Sequence, residues 1–130
     1  MATPFTPPDR STVSPYLLVG SVTDALIFLD RVFSAVELHR VAGENGSIRH
    51  AEVRIGDSVL MLGERPGNAM PASVHVYVPN VDETYQTAIA AGASSLSEPR
   101  DLPYGDRSAG VRDPQGNLWW LGTHIGEPAG

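Results

Sequence analysis

Cysteine and lysine are both absent from this chain of 130 residues. Without cysteine, the protein can form no disulfide, no thiolate zinc site and no cysteine nucleophile. All nine basic residues are arginines, they form no basic run, and the formal net charge is −6. Because phosphate contacts need a concentrated positive surface, we do not expect nucleic acid as a partner.

Long apolar runs are missing as well. No stretch approaches the roughly 20 residues needed to cross a bilayer, so we expect no membrane partner. The opening residues "MATPFTPPDRST" contain an acidic residue and no apolar signal core, which favours a cytoplasmic location. Hydrophobic residues make up 42% and charged residues 18%, which indicates an ordinary globular domain.

The chain does contain a repeated order of elements. Residues 1–12 hold three prolines and predict a flexible arm. Residues 13–64 have the pattern of a strand, a helix and three more strands, and residues 72–125 repeat that order. Residues 65–71 form a linker rich in proline and glycine, and residues 126–130 form a tail. We therefore predict an α+β fold in which a single domain, residues 13–125, consists of two βαβββ modules.

The two halves can be superposed at their strand-to-helix corners, with "VGSV" at 19–22 on "VPNV" at 78–81. Tyr16 then matches His75, and Ser14 matches Ser73. Matching the turn glycines Gly56 and Gly116 sets Leu60 opposite Trp120.

The segments "PYLLVGSVTDALIFLDRVF", "IRHAEVRIGDSVLMLGE", "SVHVYVPNVDETYQTAIAAGA" and "LPYGDRSAGVRDPQGNLWWLGTH" resemble the vicinal oxygen chelate superfamily. This superfamily includes glyoxalase I, bleomycin resistance proteins and extradiol dioxygenases, and the segments look most like its PhnB-like branch. The resemblance implies two curled mixed sheets that enclose a cavity, a small organic ligand and a homodimer.

In metal-using members of this superfamily, four side chains from the first and fourth strands of each half hold a divalent ion. The matching positions here are Ser14, Leu60, Ser73 and Trp120, and none is a usual metal ligand. Trp120 stands where the matching enzymes have a glutamate. We therefore expect no metal and no cofactor, and a cavity that binds apolar or planar surface.

Alternation along the strands extends the set of residues expected to line the cavity. Leu118 and Trp120 should face the ligand, while Trp119 and Leu121 should pack toward the helix. Arg107 in "YGDR" could clamp a carboxylate or phosphate, or instead pair internally with Asp106, Asp113 or Glu52. The predicted ligand-binding residues are Tyr16, Leu18, Leu60, Ser73, His75, Tyr77, Leu118, Trp120 and Arg107.

His50 and Glu52 form an H-x-E pair on one face of a strand, a spacing that could bind metal or relay a proton. Their side of the sheet stays open at this point. If Ile55 pairs with Ser58, then Ala51 and Val53 share the face of Leu60 and His50 points away from it.

Three functions fit these features. The favoured one is a metal-free protein that binds a small organic molecule, as the drug-sequestering antibiotic resistance members do. The second is an enzyme: a divalent-metal lyase, isomerase or dioxygenase using His50, Glu52 and His75, or a metal-free acid–base catalyst using His75. The third is a regulatory or assembly subunit with a vestigial cavity.

Overall fold

A computed structural model describes residues 5–126 of the chain. Residues 1–4 of the predicted arm and 127–130 of the predicted tail lie outside the described residues. The first module contains β1 (Tyr16–Val19), α1 (Val22–Phe33), β2 (Val36–Ala42), a 3₁₀ turn (Glu44–Gly46), β3 (Ile48–Ile55) and β4 (Ser58–Glu64). The second contains β5 (Ser73–Tyr77), α2 (Val81–Ala90), β6 (Ser94–Asp101), β7 (Asp106–Arg112) and β8 (Leu118–His124).

Each module folds its four strands into one mixed sheet. The strand orders are β1-β4-β3-β2 and β5-β8-β7-β6, which are the same order in the two halves. The first and last strands of each module pair in parallel, and the other pairs are antiparallel. The protein is therefore α+β with a tandem βαβββ fold, as the sequence predicts. Within residues 5–126 the two sheets stay separate and do not close on each other.

Both helices begin at a side-chain cap and pack against the sheets. The Ser21 hydroxyl accepts the Asp24 amide at the start of α1, and the Asn80 side chain accepts the Glu83 amide at the start of α2. The apolar stripe of α1 is buried at Ala25, Phe28, Leu29 and Val32. Neither helix within residues 5–126 has the length and apolar character needed to span a membrane.

One face of each sheet packs on the helices and forms the core, and the opposite face is turned to solvent. We call the solvent-turned faces the first and second open faces. By strand register, the first open face carries Tyr16, Leu18, His50, Glu52, Arg54, Met61 and Gly63. The second carries Ser73, His75, Tyr77, Asp106, Ser108, Gly110, Leu118, Trp120 and Gly122.

Candidate ligand-binding faces

The adjacent tryptophans lie on opposite sides of the second sheet, as strand alternation predicts. Trp119 is fully buried, packs against Phe33 with ring centroids 5.1 Å apart, and donates its Nε1–H to Asp113 at 2.8 Å. Trp120 keeps 36% of its surface exposed on the second open face. Only Trp120 is therefore placed where a ligand could touch it.

Trp120 is held in one orientation by two contacts. Its Nε1–H donates to the Ser73 hydroxyl at 2.8 Å. Its six-membered ring lies against the backbone of Gly110, where an added Cβ would come within 2.6 Å of Cζ3. Glycine lets the ring lie flat on the neighbouring strand, since any side chain there would lift it. The indole is a flat apolar surface whose single N–H is already hydrogen-bonded within the protein.

His75 and Tyr77 continue this surface along β5. His75 lies over Gly122, where an added Cβ would be 2.9 Å from Nε2. Its ring meets that of Tyr77 edge to face, with centroids 4.6 Å apart. The second open face therefore presents three rings on two paired strands.

A buried carboxylate anchors the far end of that face. Asp106 is only 5% exposed; it accepts the Tyr77 hydroxyl at 2.9 Å and contacts His124 Nδ1 at 3.0 Å. The hydrogen bonds from His124 and then from Tyr77 hold the pKa of Asp106 below its ordinary range. The same carboxylate raises the pKa of Tyr77, so that hydroxyl stays protonated.

The first open face carries a chain of hydrogen-bonded side chains. The Tyr16 hydroxyl lies 3.0 Å from His50 Nδ1, and His50 Nε2 lies 2.9 Å from Glu52 Oε2. Arg10 donates to the other oxygen of Glu52 at 2.6 Å. Arg10, then His50, holds the pKa of Glu52 below its ordinary range. In the tautomer with its proton on Nε2, His50 donates to Glu52 and its Nδ1 accepts the Tyr16 hydroxyl.

His50 and Glu52 thus lie on the first open face, which the sequence left undecided. The expected pairing of Ile55 with Ser58 is present. Ala51 and Val53 do share the face of Leu60, but that face is the core. His50 points away from Leu60, and this direction is toward solvent.

The prediction that Leu60 lines the cavity is wrong. Leu60 is 4% exposed and belongs to the core. Strand β4 instead places Met61 opposite Tyr16, as β8 places Trp120 opposite His75. Met61 is therefore the first-module equivalent of Trp120.

The error arose from the turn glycines. In the first module Ile55 pairs with Ser58, so two residues form the hairpin turn. In the second, Arg112 pairs with Leu118, so five residues lie between the strands. Both glycines have left-handed backbone, but the turns differ in length. The equivalent positions Met61 and Trp120 follow Gly56 and Gly116 by five and four residues, so matching the glycines shifts the register by one.

Arg107 does not reach the open face, and none of its expected partners is correct. It lies toward α2 and donates to Asp82 at 2.8 and 3.0 Å, and to Asp101 at 3.0 Å. These hydrogen bonds raise the pKa of Arg107. Arg107 therefore forms internal ion pairs and does not clamp a ligand, but its partners are two carboxylates that differ from the three expected ones.

The residues at the superfamily's metal positions do not fit a divalent ion. Met61 and Trp120 offer a thioether and an indole N–H, and the Ser73 hydroxyl is bonded to that N–H. The Ser14 hydroxyl oxygen is buried and has no partner among residues 5–126. Within the same residues, no three histidine or carboxylate side chains converge as a metal set. The alternative trio of His50, Glu52 and His75 is divided between the two sheets.

Comparison with known proteins agrees with this fold. Residues 12–121 match the family described as the Glyoxalase/Bleomycin resistance protein/Dioxygenase superfamily. The chain belongs to this superfamily. A relative, the uncharacterized protein Rv0887c of Mycobacterium tuberculosis (strain ATCC 25618 / H37Rv), is 35% identical over 128 residues, covering 88% of this chain and 75% of that protein.

Solved structures of the superfamily share the architecture. TioX from Micromonospora sp. ML1 is 31% identical with a TM-score of 0.74, covering 88% of this chain and 99% of that one. A PhnB protein from Bacillus cereus is 15% identical with a TM-score of 0.72, covering 87% of this chain and 99% of that one. At that identity the second likeness shows the fold alone.

Several residues that shape the open faces carry no recognisable signal in the sequence, or only a weak one. Arg10 and His124 complete the two carboxylate clusters, and neither has a motif that could have signalled it. The glycines beneath the rings carried a usable signal. Once Trp120 is paired with Gly110 across β8 and β7, a ring lying over a glycine is the natural expectation.

Proposed function

We propose that this protein is a metal-free, cytoplasmic small-molecule-binding member of the superfamily, and that it takes a planar organic ligand against Trp120. The observation that carries the proposal is the indole itself, half-exposed and fixed by Ser73 and Gly110. A ring held flat on a sheet can stack on a planar guest without first losing rotational freedom. Sequestration of an antibiotic would be one use of such a surface.

We further propose that the cavity is completed by a homodimer. In one chain the open faces leave Tyr16, Tyr77 and Trp120 exposed by 51%, 63% and 36%. Exposed aromatic surface of this kind marks a site where another molecule binds, because its burial is favourable. A second copy could cover both faces and leave a recess between them. Sedimentation equilibrium should give twice the monomer mass, whereas a monomer at all concentrations would contradict this assembly.

The ligand proposal is tested with a neutral planar probe, 2-naphthamide, by titration calorimetry. Trp120→Ala should weaken its binding roughly 2- to 30-fold, since an aromatic contact contributes roughly 0.5–2 kcal/mol. Trp120→Phe should recover part of the loss. Ile27→Ala removes an exposed apolar side chain from α1, away from the open faces, and should leave the affinity unchanged. Equal affinity in the Trp120→Ala variant would overturn the stacking role.

The metal-free assignment has its own test. The protein is incubated with Ni²⁺, Zn²⁺, Mn²⁺ and Fe²⁺, desalted, and its bound metal is measured. We expect a stoichiometry near zero, because the four superfamily positions supply no suitable set of donors. One tightly bound ion per chain would refute the assignment and favour an enzyme with a rearranged site.

A further inference from the structure

We infer that the hollow on the first open face binds an anionic group, a carboxylate or a phosphate, carried by the ligand. This inference rests on the proposed function and names the ligand's chemical class. The hollow has a volume of about 510 Å³. It is lined by Tyr16, Leu18, Val41, Arg49, His50, Gly63, Glu64 and Arg65.

Two arginines that line this hollow, Arg49 and Arg65, are positioned by distinct features of the backbone. In the β2–β3 ladder, Val41 pairs with His50 and Ala42 pairs with Ile48, so Arg49 is left over as a bulge. A bulge redirects its side chain, and here Arg49 lines the same hollow as its neighbour His50. Arg65 directly follows β4, where its amide donates to the Val19 carbonyl at 2.7 Å.

The charges of these arginines are available to a ligand. Arg10, Arg40 and Arg107 are each paired with a carboxylate. Among residues 5–126, Arg49 and Arg65 have no such partner. Guanidinium groups bind carboxylates and phosphates through charge-assisted, often bidentate hydrogen bonds.

The acidic groups nearby do not cancel this positive charge. Glu64 lines the hollow, but its Oε2 accepts the Val22 amide at 3.0 Å, at the positive end of α1. Glu52 lies beyond His50 and is neutralised by Arg10. The two arginines and one glutamate that line the hollow give it a formal net charge of about +1. The whole chain carries −6, so the hollow has the opposite sign to the protein.

The rest of the lining suits an organic body attached to the anion. Leu18 and Val41 supply apolar surface, and the Tyr16 ring lies against Gly63, where an added Cβ would be 2.9 Å from its Cε1. The Tyr16 hydroxyl is already hydrogen-bonded to His50 Nδ1 at 3.0 Å. Recognition of an anion therefore falls to the two arginines.

The test compares three probes with the same planar body: 2-naphthoate, 2-naphthyl phosphate and neutral 2-naphthamide. Calorimetry at pH 7 should show at least one anion binding about tenfold or more tightly than the amide. The tighter anion identifies which group the hollow prefers. Arg49→Gln and Arg65→Gln should each remove about tenfold of that anion's affinity and leave the amide unchanged. Arg100→Gln, an exposed arginine on β6, is the control and should change neither affinity.

The outcomes separate this inference from the function on which it rests. Equal affinity for the anions and the amide, or unchanged anion affinity in both arginine variants, would overturn the anion site while leaving a planar-ligand protein intact. If no probe binds at all, both the anion site and the proposed function fail. Loss of anion affinity in the Arg100→Gln control would show that overall charge, and not this hollow, attracts the anion.

Discussion

The two modules share one backbone plan but present different surfaces. Tyr16 and His75 occupy equivalent positions, and each lies over a glycine of the neighbouring strand. Tyr16 enters a hydrogen-bonded chain with an imidazole and a carboxylate, whereas His75 belongs to a row of rings that includes Trp120. Strand order fixes where a side chain is presented, and the residue at that place decides its chemistry.

The difference gives the proposed cavity two kinds of contact. The second open face supplies a flat aromatic surface, and the first supplies arginines and a polar chain. If both faces meet across a dimer, one ligand could touch both. A planar body with an anionic substituent is the ligand that uses both faces.

The largest expected effect separates the adjacent tryptophans. Trp119→Ala should lower the free energy of unfolding by about 3–5 kcal/mol, because it empties a fully buried site and removes the hydrogen-bond donor to Asp113 Oδ2. Trp120→Ala should cost less, about 1–2 kcal/mol, because about a third of the residue is exposed to solvent. Urea denaturation measures the free energy of unfolding of both variants. Similar losses for the two variants would contradict the opposite facing of these side chains.

A smaller effect distinguishes the equivalent serines. Ser73→Ala should cost about 0.5–1.5 kcal/mol, because it removes the acceptor for the indole N–H. Ser14→Ala should be neutral or stabilising, because the buried Ser14 hydroxyl oxygen has no partner among residues 5–126. Thermal unfolding of the parent and the two variants measures both stability costs. A cost for Ser14→Ala that equals the cost for Ser73→Ala would mean that the modules are alike here.

The smallest effect concerns the carboxylate of the first open face. Glu52 has a folded-state pKa below its ordinary value of about 4.3, so it stabilises the fold above that pH. Glu52→Gln should therefore be less stable than the parent at pH 7. The difference should shrink as the pH falls below about 4, through the folded-state pKa.

The measurement is the free energy of unfolding of parent and variant at intervals from pH 7 to pH 3. Glu44→Gln is the matched control, since Glu44 is an exposed glutamate in the 3₁₀ turn. The free energy of unfolding of Glu44→Gln should equal that of the parent at every pH measured. A Glu52→Gln deficit that stays constant with pH would show that the charge of Glu52 contributes nothing.

Much of the second open face could be predicted from the sequence. The alternation of Leu118, Trp119 and Trp120 within one strand identifies which side chains share a face. This alternation is a local property of the chain, and the burial of Trp119 and exposure of Trp120 agree with it. The register of the fourth strand in the first module could not be predicted in this way, because the turn before it differs in length from the equivalent turn of the second module.

The sequence by itself determined the order of elements, the repeat and the superfamily, because helix periodicity, caps and strand alternation are local properties of the chain. Only the tertiary structure decided that Met61 and not Leu60 matches Trp120, and that His50 and Glu52 face solvent. It also decided that Glu52 pairs with Arg10, which is 42 residues away. These features depend on strand register and on contacts between distant segments, and a one-residue change of register moves every side chain of a strand to the other face.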